Sequence, residues 1–348
     1  MADSLVISID AMGGDHGLTV TAPALARALK RTPDLRFLVH GDAPQVEAAL
    51  ARCPQEVRAR SEVRHAERVI AGDAKPAQAM RRGKGTSLWN AIQSVKDGQA
   101  QAAVSGGNTG ALMAISRLIL RMVGDLDRPA LVAAWPTLRG ITAVLDVGAN
   151  INCDAGQLVE FAIMGSAFHR ALYGTARPSI GLLNVGTEEE KGHVEVKEAH
   201  RLLRETPLQA DYRGFVEGAD IAKGSVDVIV TDGFTGNVAL KTAEGLARFF
   251  AAELRQALKS DIRGMAGAAL AAPALKRMGQ RLRPPAGGVF LGLNGIVVKS
   301  HGGAEADDFA AAIGVAAGLA HSGFADDIAR DLNRLTAVPS PAVAEEKL

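Results

Sequence analysis

Six short apolar runs, each ending in a loop rich in glycine and small polar residues, constrain this chain more than any other feature. They are residues 5–10 before Ala-Met-Gly-Gly-Asp-His16, 102–104 before Ser-Gly-Gly-Asn-Thr-Gly110, and 141–145 before Asp-Val-Gly-Ala-Asn150. The others are 180–183 before Asn-Val-Gly-Thr-Glu188, 226–230 before Thr-Asp-Gly-Phe-Thr-Gly-Asn237, and 296–298 before Lys-Ser-His-Gly-Gly303. The runs read as β-strands. Helical patterns fill the intervals, which predicts an α/β fold with a mostly parallel sheet and helices on both faces. Ligands of open α/β sheets bind beyond the carboxyl ends of the strands. Glycine lets backbone amides approach an anion there, and a following helix N-terminus favours negative charge. The six loops are therefore expected to gather at one sheet edge and form an anion-handling site.

The 348 residues, 47% hydrophobic and 22% charged, suit one large α/β catalytic domain over 1–338, with residues 339–348 as a disordered tail. Aromatics are 4% while glycines number 38, which favours close helix–sheet contact through small side chains. A net charge of +1 gives no global attraction to nucleic acid, and none is expected as a partner. Cys53 and Cys153 fit neither a metal spacing nor a disulfide framework, which favours a reducing compartment. No signal peptide and no run of about 18 apolar residues is present, so a soluble protein is expected.

Apolar spacing predicts helices over 18–30, 44–52, 87–96, 109–122, 154–173, 188–205 and 235–259, with a strand at 37–40. Residues 131–135 are expected to hairpin with 141–145 through 136–140. A helical excursion over about 245–285 stands apart, because 264–275 is apolar on nearly every face. Lys259, Arg263, Lys276, Arg277, Arg281 and Arg283 flank it. Two readings fit: a buried helix or dimer contact, or a protruding hairpin that inserts Met265, Leu270 and Leu275 into lipid.

The loops supply candidate chemistry. Amides of Gly106 and Gly107, with the Asn108 amide and the Thr109 hydroxyl, can cradle an oxyanion or phosphate, although a glycine turn that only packs a helix looks similar. The loop Asp232-Gly-Phe-Thr-Gly-Asn237 repeats the design, with Gly236, Lys241 one turn on, and Thr235 as cap, ligand contact or both. Lys299 and His301 add a cation and an imidazole. Asp10 and His16 flank Gly13 and Gly14, and Lys191 can bind an anion or simply pair with Glu188. Arg81, Arg82 and Lys84 form a basic cluster, read as a solvated loop or as a face for an acidic partner. No dinucleotide fingerprint, complete P-loop or Gly-x-Ser-x-Gly elbow is present, so neither a cofactor nor a metal is expected.

Taken in order, IDAMGGDHG from Ile9, SGGNTGALM from Ser105, LDVGAN from Leu145, LNVGTEEEKG from Leu183, TDGFTGNVALKTAEG from Thr231 and VVKSHGG from Val297 carry a resemblance. Over about 5–335, the chain resembles the bacterial phosphate acyltransferases that convert acyl-acyl carrier protein and inorganic phosphate to acyl phosphate. The resemblance implies a fold like those of phosphate acetyltransferases and isocitrate dehydrogenases, a homodimer, and work at the cytoplasmic membrane face at the start of phospholipid synthesis. Its partners would be acyl carrier protein, inorganic phosphate, the membrane surface and, downstream, a glycerol-3-phosphate acyltransferase.

On that reading Asn108, Thr109, Thr235 and Asn237 bind phosphate or the oxyanion together with Gly106, Gly107 and Gly236. Lys191, Lys241 and Lys299 neutralise charge, His16 or His301 protonates the leaving thiolate, and Asp10 and Asp232 orient these groups. The carrier would dock on Arg81, Arg82 and Lys84, or on the cations flanking 264–275. Three rivals share parts of the pattern: a phosphate acetyltransferase-like enzyme acting on acyl-CoA, an isocitrate-type dehydrogenase, which would need a nicotinamide signature, and a non-catalytic membrane scaffold for lipid synthesis.

Overall fold

The computed structural model describes residues 5–282 and 287–324, together with 327, 328, 330 and 331. The expected tail at 339–348 and the end of the excursion at 283–286 lie outside the described residues. In chain order the first elements are β1 (Val6–Asp10), α1 (Leu18–Arg31), β2 (Arg36–Gly41), α2 (Ala43–Leu50), α3 (Gln55–Ala59) and β3 (Ser61–His65). Next come α4 (Pro76–Arg82), α5 (Ser87–Lys96), β4 (Ala102–Ser105), α6 (Thr109–Leu120), β5 (Ala130–Pro136) and β6 (Ile141–Leu145). Then follow α7 (Ala155–Tyr173), β7 (Ser179–Leu183), α8 (Val194–Glu205), β8 (Asp211–Val216), α9 (Gly218–Lys223) and β9 (Val228–Val230). The last are α10 (Gly233–Lys259), α11 (Ile262–Arg281), β10 (Gly287–Leu291), β11 (Ile296–Ser300) and α12 (Ala306–His321).

All eleven strands join one sheet in the order β3-β2-β1-β4-β11-β10-β5-β6-β9-β7-β8. Alternate side chains on each strand serve opposite faces. On one face Ile7, Ile9, Val104 and Val298 pack under Leu25 of α1, Phe161 and Phe168 of α7, and Phe309 and Ile313 of α12. On the other, Val144, Ile229 and Val297 pack under Leu88 and Ile92 of α5 and Leu112 and Ile115 of α6, with Ala239 and Leu240 of α10 at the margin. Small residues permit the close approach that composition suggests: a Cβ on Gly165 of α7 would lie 2.6 Å from Val228 and 2.8 Å from Leu145.

The expected single edge is not what the sheet provides. β10 runs antiparallel to both β11 and β5, and β5 is antiparallel to β6, while β6, β9, β7 and β8 run parallel to one another. The hairpin at 136–140 therefore reverses chain direction for the rest of that half. The loops after β1, β4 and β11 lie at one edge, and those after β6, β7 and β9 at the opposite edge. Alternation of apolar residues marks a strand but carries no information on its direction.

Other differences are local. The helix expected at 188–205 begins only at Val194, because residues 184–192 form a loop in which Asn184 Nδ2 donates to the Lys191 carbonyl at 3.0 Å. Arg81 and Arg82 close α4 and are not loop residues. Lys299 and Ser300 belong to β11 itself. The 264–275 segment is not buried within this chain: Met265 is 50% and Leu270 87% exposed, while Leu275 is half-buried. With α10, α11 forms a protruding hairpin, and no helix among the described residues is long and apolar enough to cross a membrane.

The seat of α10 is a backbone contact. A Cβ on Gly236 would lie 1.9 Å from the Asp146 carbonyl oxygen, whereas one on Gly245, two turns further along α10, would meet nothing within 4 Å. Gly236→Ala is therefore expected to destabilise the fold by about 1–3 kcal/mol in urea unfolding, as overpacking does. Gly245→Ala should stabilise it by about 0.5–1 kcal/mol through helix propensity. Equal effects of the two changes would contradict this seating.

Candidate active site

At the first edge, three loops interlock. Asp10, 1% exposed at the end of β1, accepts a 2.7 Å hydrogen bond from Ser105 Oγ, and Ser105 Oγ accepts one from the Gly107 amide at 3.0 Å. Burial pushes the Asp10 carboxyl above its usual range, against the opposing pull of the Ser105 hydroxyl and the Met12 and Gly13 amides. A Cβ on Gly13 would fall 2.4 Å from Asp10 Oδ2 and 2.8 Å from the Gly107 nitrogen, so only glycine lets the β1 and β4 loops close. The β11 loop joins them through the Asp15 amide, which donates to the Gly302 carbonyl at 2.9 Å.

Lys299 enters this frame from below. Register pairs it with Ser105, and its stem is buried, leaving the residue 8% exposed. Its Nζ donates to the Gly106 carbonyl at 3.3 Å and to the Ser300 carbonyl. Burial lowers its pKa to about 8; Lys241 pushes the same way, and Asp15 and Asp10 oppose. His301 accepts from the Gly303 amide at Nδ1 (3.2 Å), which leaves the proton on Nε2 of the neutral ring. Burial and the charges of Lys241, Lys299 and Arg248 favour that neutral form, with Glu244 opposing. His16 lies exposed in the neighbouring loop, where its carbonyl accepts from the Thr19 hydroxyl at 2.7 Å.

At the opposite edge, Asp146 organises the second set. Fully buried, it accepts hydrogen bonds from the amides of Leu131, Gly148, Ala149 and Asn150 and from Asn150 Nδ2, at 2.6–3.1 Å. Burial raises its pKa, and the donors from Ala149, Asn150 and Leu131 resist. α10 starts on this loop: the Gly233 amide donates to the Asn150 carbonyl at 2.7 Å. Asn237 lies over Gly148, where a Cβ would come 3.1 Å from its Nδ2.

α10 connects the two edges. Its 27 residues span about 40 Å at about 1.5 Å each. From its seat at Asp146 it passes the β11 loop, since Lys241, Glu244 and Arg248 all act electrostatically on His301 and Lys241 acts on Lys299. Lys241 is therefore within electrostatic reach of the Lys299 loop, and Asn237, one helical turn earlier, sits against the Asp146 loop at Gly148. Lys241 is held by Glu244 at 3.0 Å with its side chain more than half exposed.

Several expected ligands are committed to structure. Asn108 caps α6, accepting from the Ala111 amide at 2.8 Å, and donates Nδ2 to the Gly72 carbonyl at 2.6 Å. Asp232 caps α10 and takes both the Thr235 amide and the Thr235 hydroxyl at 2.8 Å. Lys191 pairs with Glu188 at 2.8 Å, as the simpler reading has it. The Thr109 hydroxyl has no protein partner among the described residues. Sequence reasoning missed Ser105 and Asp146 as organising groups. The signal was available: each is a small polar or acidic residue at the junction of an apolar run and a glycine loop.

Residues 5–327 match a family model described as fatty acid synthesis protein. A phosphate acyltransferase of Caulobacter vibrioides is 62% identical over 339 residues, covering 97% of this chain and 94% of the relative. One of Brucella canis is 52% identical over 330 residues, covering 94% and 95%. Among solved structures, a phosphotransacetylase from Streptococcus pyogenes aligns with a TM-score of 0.60 at 19% identity, over 92% of this chain and 95% of its own. EutD phosphotransacetylase from Staphylococcus aureus gives 0.58 at 17% identity, over 93% and 94%. The architecture is thus a phosphotransacetylase-type α/β fold. The chain belongs to the phosphate acyltransferases of the fatty acid synthesis protein family, and is an acyltransferase.

Lys299 supplies a pH test of the site. Its ammonium form holds an anion and its amine form does not, so kcat/KM for phosphate should fall as pH rises through about 8. Lys299→Met should raise the phosphate KM by roughly ten- to hundredfold, the range for losing a charged hydrogen bond, and should remove that fall. A wild-type profile flat well beyond this pH, or the same fall in the variant, would take Lys299 out of the site.

Proposed function

We propose that the chain transfers a long-chain acyl group from acyl carrier protein to inorganic phosphate, giving acyl phosphate and free carrier, as the first step of phospholipid synthesis. The observation that carries the reading is the buried Lys299 ammonium against the Gly106 carbonyl, with Lys241 of α10 adding a second cation nearby. Two cations beside glycine amides and a helix N-terminus suit a doubly charged oxyanion. Family membership supports the reaction class.

A phosphate oxygen attacks the thioester carbonyl carbon, and the C–O bond forms as the carbonyl becomes an oxyanion. Collapse of the tetrahedral intermediate breaks the C–S bond and expels the thiolate. The proton of hydrogen phosphate ends on that thiolate, so no other acid or base is consumed. Lys299 can relay it, because its pKa of about 8 lies near the ~8.5 of a free thiol. Lys299, Lys241, the Gly106 amide and Thr109 hold phosphate, and Asn237 donates to the oxyanion. Neutral His301 serves best as a hydrogen-bond donor through Nε2–H, since giving up that proton would leave an imidazolate. Holding phosphate and carbonyl together is the larger contribution, up to about 7–11 kcal/mol.

Exposed Phe249, Phe250, Met265 and Leu270 on α10 and α11 support contact with lipid at the cytoplasmic membrane face, with flanking cations toward anionic headgroups. The same surface can serve a homodimer. Asp10, Asp232, Thr235 and Asn108 hold the loops in shape.

The reaction is tested by phosphate-dependent release of carrier thiol from palmitoyl-acyl carrier protein. Wild type should release thiol only with phosphate present and form acyl phosphate. Asn237→Ala should lose roughly a hundredfold in kcat, as removal of one oxyanion donor does. Turnover of acetyl-CoA alone would replace the proposal with a phosphotransacetylase-type activity.

A further inference from the structure

The outward face of α6 points away from the sheet, with Met113 packed partly against the core. Met113, Arg117, Leu118 and Arg121 recur there at helical spacing and, with Met80 of α4 and Arg128 ahead of β5, line an open groove of about 540 Å³. That volume lies in the range of small-molecule sites, roughly 300–1,000 Å³. The groove ends at Ala149 and Asn150, in the loop that seats α10.

Its floor and rim differ in chemistry. Met80 and Leu118, 37% and 45% exposed, present apolar surface beside the adaptable thioether of Met113. On the rim, Arg117 and Arg128 share one carboxylate, Asp127, at 3.9 and 3.1 Å, and Asp127 also accepts from Gln157 Nε2 at 2.9 Å. Arg121 has no ion-pair partner among the described residues, so the rim carries excess positive charge. Arg121 also sits at φ 65° and ψ 173°, a region that glycine enters freely and other residues rarely. It is fixed there by its own amide on the Arg117 carbonyl at 3.2 Å and by the Asn294 amide on its carbonyl at 3.1 Å. An arginine where the backbone asks for glycine points to use of the guanidinium.

We propose that this groove holds the phosphopantetheine arm of the acyl carrier, with its phosphodiester on Arg117 and Arg121 and its amide and methylene chain along Met113 and Met80. The assignment rests on the carrier-protein reading above. Paired guanidiniums match phosphoryl oxygens in charge and geometry. α6 leads from the Gly106–Asn108 loop to Arg121, about 18 Å at about 1.5 Å per residue. An arm gripped at Arg121 can thus extend along α6 toward Lys299. Neither basic patch singled out in the sequence includes these arginines.

The test is calorimetric titration of the full chain with phosphopantetheine and with pantetheine, in wild type, Arg121→Gly and Arg117→Ser. Arg121→Gly suits the backbone and should fold, and Arg117→Ser lies on an exposed helix face. Phosphopantetheine should bind wild type and bind each variant at least tenfold more weakly, whereas pantetheine should bind all three alike. No phosphopantetheine binding to wild type, equal binding to all three, or equal weakening of both ligands would overturn the assignment. A variant that alters the oligomeric state without altering binding would give the groove to a second copy of the chain. Thiol release from palmitoyl-acyl carrier protein, measured on the same samples, separates the two claims. Turnover with unchanged binding sinks the groove alone, and the binding pattern without turnover sinks the reaction alone.

Discussion

The contact of Gly236 with the Asp146 carbonyl, too close for any Cβ, fixes where α10 begins, and the rest of the site depends on it. The sheet reverses direction at the β5–β6 hairpin, so its glycine loops divide between two edges. Neither set is a complete anion site alone. The first has a buried ammonium and a helix N-terminus; the second has an organised loop and a capped helix. Seating α10 on the second edge and running it toward the first brings Lys241 within electrostatic reach of Lys299, with Asn237 one turn earlier on the same helix.

The electrostatics follow from this packing. Lys299 and Asp10 lie on the two strands that flank β4, both in register with Ser105, so their side chains share a face of the sheet. Burial presses the ammonium toward its neutral form and the carboxyl toward its own; the charges of Asp15 and Asp10 limit the first shift, and the Ser87 and Ser105 hydroxyls with the Met12 and Gly13 amides limit the second. A bound phosphate would supply Lys299 with a negative charge beside its ammonium, whereas Lys241 already has Glu244 at 3.0 Å. The exposed α10–α11 hairpin grows out of the same helix, so its exposed apolar surface is built on the element that carries Asn237 and Lys241.

Much of this was legible in the sequence, for reasons particular residues make plain. The helix at Ser87–Lys96 and the hairpin through 136–140 were readable because local periodicity and a short Pro-Gly-bounded connection determine them. β10 escaped notice because its five residues begin with two glycines, and β8 because Tyr212, Arg213 and Gly214 break its apolar run. Residue type and position at strand ends mark Lys299, Asn237 and Lys241 as candidates, and of these Lys241 and Lys299 lie within electrostatic reach of each other. Asn108 and Asp232 are caps and Thr235 donates to its cap, and a side chain serving a helix start looks in sequence like one serving a ligand until its partners are known. The division between edges was beyond reach, since strand direction is decided by long-range pairing.

The central claim is that one anion is held jointly by β11 and α10. A double-mutant cycle on phosphate binding, with Lys241→Met, Lys299→Met and the pair, tests it most directly. The account predicts coupling: the double variant should lose clearly less affinity than the two single losses combined, because either change already disrupts the shared site. Strict additivity, with each lysine acting as though the other were absent, would contradict a single site spanning the two edges.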